Sequence, residues 1–212
     1  MASSSYMSGR QKYSRPQAML WATNSGKLEN GIYIPNGNES TSAQTGTRTY
    51  DFIILSDHNR GEININTQRL EQRKRMANGT MRSYHIADKL QISTSWQMIP
   101  SRAYSSYPGF NQSTGLSIYD IPSAGQSVEA TEYTADGGAG GVEMLDWYEN
   151  HTGPFWVYLA YDKYTNLNQE GSNLAEYNQV LQMYITNFDY SIVKRSGTKF
   201  DLWNVNVTLE EV

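Results

Sequence analysis

The sequence predicts a mainly-β fold: one domain, a barrel or sandwich, with a single helix packed on it. Three observations predict it. Apolar and polar residues alternate with a period of two in the best-patterned segments, such as Leu90–Gln97 and Trp203–Leu209. Turn residues punctuate the chain at short intervals, among them Asn24-Ser25-Gly26, Asn59-Arg60-Gly61, Asn78-Gly79 and Ser196-Gly197. Helical spacing shows at Val142, Leu145 and the 146–149 face alone.

In chain order, residues 1–18 are Ser, Tyr, Arg and Gln with little to bury, which predicts an arm ordered only against a partner. Residues 19–212 then form a single domain. Leu20–Thr23 and Gly31–Ile34 are short strands, and 36–48 is a polar loop. Tyr50–Leu55 (YDFIIL) is a compact buried strand, and Ile63 and Ile65 alternate with Asn64 and Asn66 as a half-buried one. Asn78-Gly79 predicts a hairpin with a type I′ turn, its arms near 69–77 and 80–86. In Leu90–Gln97 the side chains of Leu90, Ile92 and Trp96 point inward, and Pro100 closes the strand.

Residues 101–127 are an irregular stretch longer than most loops, a length usually tied to function or to ordering by neighbours. The glycine run 137–141 reads as a flexible lead into the helix at 142–150, which Gly153-Pro154 ends. Phe155–Tyr161 (FWVYLAY) is apolar throughout, as a strand buried on both faces must be. Residues 162–178 read as a polar loop. Leu181, Met183 and Ile185 alternate, then Phe188, Tyr190 and Ile192 do so one residue out of phase, which predicts a bulge near Thr186-Asn187. With Trp203, Val205, Val207 and Leu209 this gives a long C-terminal hairpin, 180–195 with 199–210.

Composition removes several classes of function. The 212 residues contain no cysteine, so thiolate zinc, iron–sulfur and thiol-nucleophile chemistry are excluded. The net charge of -4 argues against nucleic-acid binding as the main task, because phosphate neutralisation needs excess Lys and Arg. No apolar run is long enough for a membrane span, and MASSSYMSGRQKYSRPQ lacks the apolar centre of a secretion signal. The glycosylation triplets at Asn38, Asn78, Asn111, Asn150 and Asn206 therefore read as accidents of an Asn-rich chain. Only 18% of residues are charged while 16 are Tyr, a balance that suits protein–protein contacts as well as a tyrosine-rich β surface.

Motifs for chemistry are scarce. His58, His85 and His151 are scattered without metal-ligand spacing, no G-x-S-x-G elbow exists, and the glycine run lacks the Lys-Ser/Thr of a phosphate loop. No metal or cofactor is expected. Asp136, Asp146 and Glu149 are candidate carboxylates for sugar hydrolysis, but a solvated helix face with Asp136 and Glu143 favouring the dipole is the preferred reading. The sharpest charge feature is Arg69, Arg73, Lys74, Arg75 and Arg82. It suits an acidic neighbouring subunit or passing DNA, or else a solvated hairpin edge protected by charge. A subunit contact is favoured over DNA because few stacking aromatics accompany it.

Two segments, RMANGTMRSYHIADKLQISTSWQMIPSR (75–102) and MYITNFDYSIVKRSGTKFDLWNVNVTLEEV (183–212), resemble bacteriophage tail proteins, the small β-barrel proteins of tail tubes and their end rings. The resemblance covers about a third of the chain and rests on pattern. It implies a tail-tube-like β-sandwich or open barrel with one flanking α-helix and a long C-terminal hairpin. It also implies a non-enzymatic virion protein, assembled in the host cytoplasm, that joins copies of itself and adjacent tail proteins. Six copies commonly form a ring around a DNA channel, with transient passage of DNA, no sequence-specific nucleic-acid contact and no membrane. The outward Ser, Thr and Gln residues of the 88–97 strand would suit such a channel. The unmatched 24–48 and 101–140 segments suggest a minor ring rather than the main tube. A sugar-binding sandwich at the tail tip, with Trp147, Trp156 and Trp203 stacking on its ligand, and a head–tail connector are the alternatives.

Overall fold

The computed structural model describes residues 17–29, 32–35, 51–103, 133–136, 138–161, 177–196 and 200–212. The expected arm (apart from its last two residues), the 36–48 loop, most of 101–127 and of 162–178, and the turn at Gly197 lie outside them.

The mainly-β expectation is met. Among the described residues nine strands run β1 (Met19–Ala22), β2 (Lys27–Glu29), β3 (Ile32–Ile34), β4 (Phe52–Ile54), β5 (Arg60–Arg75), β6 (Met81–Pro100), β7 (Phe155–Leu159), β8 (Gln179–Ser196) and β9 (Phe200–Glu211), with α1 (Gly141–Asn150) between β6 and β7. Seven form one antiparallel sheet in the order β4-β1-β7-β8-β9-β6-β5, and β2 pairs with β3 apart from it. Gly26 enters β2 at φ 64°, its amide donating to the Asn24 side chain, so the expected turn is present.

The sheet is rolled. Buried Met19, Trp21, Ile53, Trp96, Val157, Met183, Trp203 and Val205 belong to one cluster fed from six strands, with Met144 and Trp147 of α1. Trp96 of β6 donates its Nε1 proton to the Ser56 carbonyl just after β4, at 2.7 Å. A flat sheet would hold β6 and β4 about five strand spacings of 4.8 Å apart. Ala18, Ile63 and Leu159 share one groove, so the start of β5 also faces the β1–β7 end of the roll. This is an open barrel, since β4 and β5 are the two ends of the sheet order.

β7 is buried on both faces as its composition demands. Phe155, Val157 and Leu159 enter the main core, while Tyr158 packs with Leu20, Phe52, Ile54 and Tyr177 in a second cluster on the other side. The out-of-phase alternation in β8 is a real bulge: Ile185 pairs with Leu209 and Asn187 with Thr208.

Several expectations are corrected. β5 and β6 are single long strands, where shorter separate pieces were predicted. The turn joining them is not type I′. The Gly79 amide donates to the Met76 carbonyl at 2.9 Å, and Gly79 alone, at φ 81°, is left-handed, as in a three-residue loop with a type I turn. Gly138, Gly140 and Gly141 of the glycine run are packed. A Cβ on Gly138 would meet Ser56 Cα at 2.6 Å, and one on Gly141 would meet the Trp203 ring at 2.8 Å. These glycines let backbone approach backbone and indole.

The helix face also differs. Glu143, Met144 and Trp147 are buried, whereas Val142, Leu145 and Asp146 are only partly so. Asp136 and Glu143 are both buried, at 5% and 1% exposure, where solvated acids were expected.

Candidate assembly interface

The five basic residues singled out in the sequence all lie on the β5–β6 pair. β6 pairs with β9 from Pro100 back to Gln91, opposite Glu210, and no further. Beyond that point residues 67–75 and 81–90 pair only with each other. At 3.3 Å per residue they project as a two-stranded ribbon roughly 30 Å long. The root is tied down: the Leu90 amide donates to Glu211 Oε2 at 2.8 Å, and the Lys89 ammonium donates to the Val212 carbonyl.

Register assigns the ribbon's two faces. Ile63 pairs with Thr94 and Ile65 with Ile92, so this row continues the core face; two-residue steps then place Arg69, Glu71, Arg73 and Arg75 along it. Lys74 lies on the opposite face, directly across from Arg82, beside Leu70 and the Gln72–Tyr84 pair. Ile86 is the extra residue of a bulge, since Leu70 pairs with Ala87 and Glu71 with His85. The basic cluster is thus one ribbon but two faces.

The charges differ in their partners. Arg69 Nε meets Asp88 Oδ1 at 3.0 Å, as does His85 Nε2, and Arg73 pairs with Glu71. The hydrogen bond from Arg69, then that from His85, holds the Asp88 carboxyl below its ordinary range, and the Arg69 guanidinium is raised in turn. Among the described residues no ion pair engages Lys74, Arg75 or Arg82. Like charges directly opposite in a ladder repel, so the Lys74–Arg82 pair destabilises an isolated ribbon.

Sequence reasoning missed the apolar part of this surface. Tyr84 (72% exposed), Ile86 (63%), Met81 (57%), Met76 and Leu70 all face solvent. The alternation of Tyr84 with Ile86 was the available signal, masked by the run of charge beside it.

A second surface lies on the core face of β8–β9. Trp203, Val205 and Val207 of β9 are buried there, and their β8 partners Ile192, Tyr190 and Phe188 are progressively less exposed toward α1. Tyr148 of α1 stacks on Phe188 at 4.9 Å, and Tyr190 stacks on Trp203 at 5.1 Å. Of the tryptophans proposed to stack on sugar, Trp147 and Trp203 are buried and Trp156 is partly buried.

The buried acids are structural ties. Asp136 accepts from Ser56 Oγ at 2.6 Å, the Asp57 amide at 2.7 Å and the Gly138 amide at 3.1 Å, which fastens the end of β4 to the glycine run. Glu143 accepts the Ala103 amide at 3.1 Å and the Gly140 amide at 2.8 Å, which joins the end of β6 to the start of α1. Burial pushes the Glu143 carboxyl up to about 7, against the pull of those amides. Among the described residues no three His, Asp or Glu side chains form a metal cluster, and no helix is long and apolar enough to cross a membrane.

No family model matches the sequence, and no curated protein matches it. Among solved structures, a chain in the tail of an empty GTA particle, computed with helical refinement under C6 symmetry, aligns over 84% of this chain and 95% of its own length. The identity is 10% and the TM-score 0.35, which is too low to establish a shared fold.

Proposed function

We propose that this chain is a structural subunit of a bacteriophage-type tail and that it performs no reaction. It assembles with copies of itself and adjacent tail proteins into a ring around the DNA channel, of six copies as in the family it resembles. The particle tail is its location and the host cytoplasm its place of assembly.

The observation that carries this reading is the solitary ribbon. Two strands alone in water are marginally stable. This pair also exposes Leu70, Met76, Met81, Tyr84 and Ile86 and sets Lys74 against Arg82. Neighbouring subunits that cover these apolar side chains and neutralise the charges remove both costs at once, at roughly 25 cal/mol per Å² of apolar surface buried. Between Gln91 and Gln97 the outer face of β6 carries Gln91, Ser93, Ser95 and Gln97, polar and uncharged, which suits a wall past which DNA slides without counterion-release affinity.

The test is the assembly state of the purified chain at high concentration, by light scattering and electron microscopy. Rings or tubes are expected. Arg73→Glu with Lys74→Glu and Arg75→Glu abolishes them and leaves the thermal melt of the monomer unchanged. A wild-type chain that stays monomeric and is missing from purified particles overturns the proposal, and intact rings from the triple variant overturn the ribbon's role in it.

A further inference from the structure

The ribbon end is cationic and apolar, so its counterpart should be acidic and aromatic. One such surface is present on this chain. The last turn of α1 contains no basic residue, and Glu149 lies there exposed. The negative end of the helix dipole adds to its charge. The neighbouring Tyr148 stacks on Phe188, and that stack leads to Tyr190, which lies 6.3 Å from Phe188. Tyr148 and Tyr190 keep 41% and 48% of their surface exposed, enough to present a ring to a cation.

We propose that the ribbon end of one copy, through Lys74, Arg75 and Arg82, docks on the Tyr148–Glu149–Tyr190 surface of a second copy. The inference rests on the assembly reading above and names the surface that the ribbon meets. A chain's own ribbon does not serve, because its tip stands roughly 30 Å beyond the last β6–β9 pairing, at Glu210, whereas Phe188 and Tyr190 pair with Val207 and Val205 on the body side of it. The two surfaces differ, so the contact is head-to-tail, the type that closes into rings when the rotation permits.

Charge exchange tests this. Two variants are made: Lys74→Glu with Arg75→Glu and Arg82→Glu in one, Glu149→Lys in the other. Each alone sets like charges together and raises the concentration for half-assembly, the first by about 100-fold or more and the second by about 10-fold. Mixed in equal amounts, they alternate with every contact complementary, and assembly returns toward the wild-type concentration. Thermal melts of the monomers establish that both variants fold. If the ribbon variant fails to assemble while the α1 variant assembles as wild type, the docking surface is elsewhere and this inference falls, with the assembly reading intact. If the mixture stays dissociated, the pairing of these two surfaces is overturned. If both variants assemble as wild type, the ribbon's role falls with it.

Discussion

Trp96 holds the roll of the sheet closed, and its contribution can be isolated by replacement with Phe. The substitution keeps an aromatic ring but leaves the Ser56 carbonyl without the indole proton that reaches it at 2.7 Å. An unsatisfied buried acceptor costs about 1–3 kcal/mol. The lost ring volume, about 40 Å³ at ~24 cal/mol per Å³, adds about 1 kcal/mol. The expected loss is therefore about 2–4 kcal/mol. Trp203 supplies the control. It is 7% exposed, and among the described residues its Nε1 has no hydrogen-bond partner, so Trp203→Phe removes a buried polar group without breaking a bond there. It should cost about 1 kcal/mol or less. Urea unfolding of the monomeric forms measures both; with m near 2 kcal/mol per M, the Trp96 variant unfolds about 1–2 M earlier. Equal midpoints for the two variants would refute the claim that the Trp96 bond closes the roll.

Two further predictions concern the start of α1. Burial raises the Glu143 carboxyl from 4.5 to about 7, so the unfolded chain releases this proton first as pH rises. The stability it contributes is full below about 4.5, declines up to about 7, and stays lost above. The difference between wild type and Glu143→Gln should change by roughly 3 kcal/mol across that window, at 1.36 kcal/mol per unit; urea midpoints at several pH values measure it, and a constant difference refutes it. The comparison with the variant cancels His151, whose pKa burial lowers and which therefore acts in the opposite sense. Gly140→Ala places a Cβ 2.4 Å from the Pro100 carbonyl oxygen and should cost about 1–3 kcal/mol in thermal melts. Gly153→Ala, with nothing within 4 Å of its Cβ, should stay within about 0.5 kcal/mol of wild type.

Much of the sheet was legible because burial writes itself into alternation. The phase slip between Ile185 and Phe188 gave the β8 bulge directly, and the unbroken apolar run of β7 announced that both its faces are covered. The ribbon's length was not legible in this way. Between Arg69 and Arg75 nothing is buried, so no apolar period marks strand, and pairing with β6 alone fixes the conformation. The glycine run and Glu143 failed for another reason. Their roles depend on Ser56, Pro100, Ala103 and Trp203, residues remote in the chain that come near only after folding. For the candidate interface, the cluster of positive charge was visible from composition. Its division between two faces followed only from register, and its apolar component, hinted at by Tyr84 and Ile86, emerged only once pairing showed the ribbon standing clear of β9.

The strand order has a consequence for synthesis. β9 is made after β1 to β8, yet it occupies the middle of the sheet, between β8 and β6. Until it arrives, no ladder among the described strands joins the β5–β6 half to the half formed by β4, β1, β7 and β8. A nascent or truncated chain therefore displays its projecting hairpin before it owns a finished body. Pairings so distant in sequence form slowly. β9 acts as a keystone, and a chain lacking it has a projecting arm with no rigid body behind it.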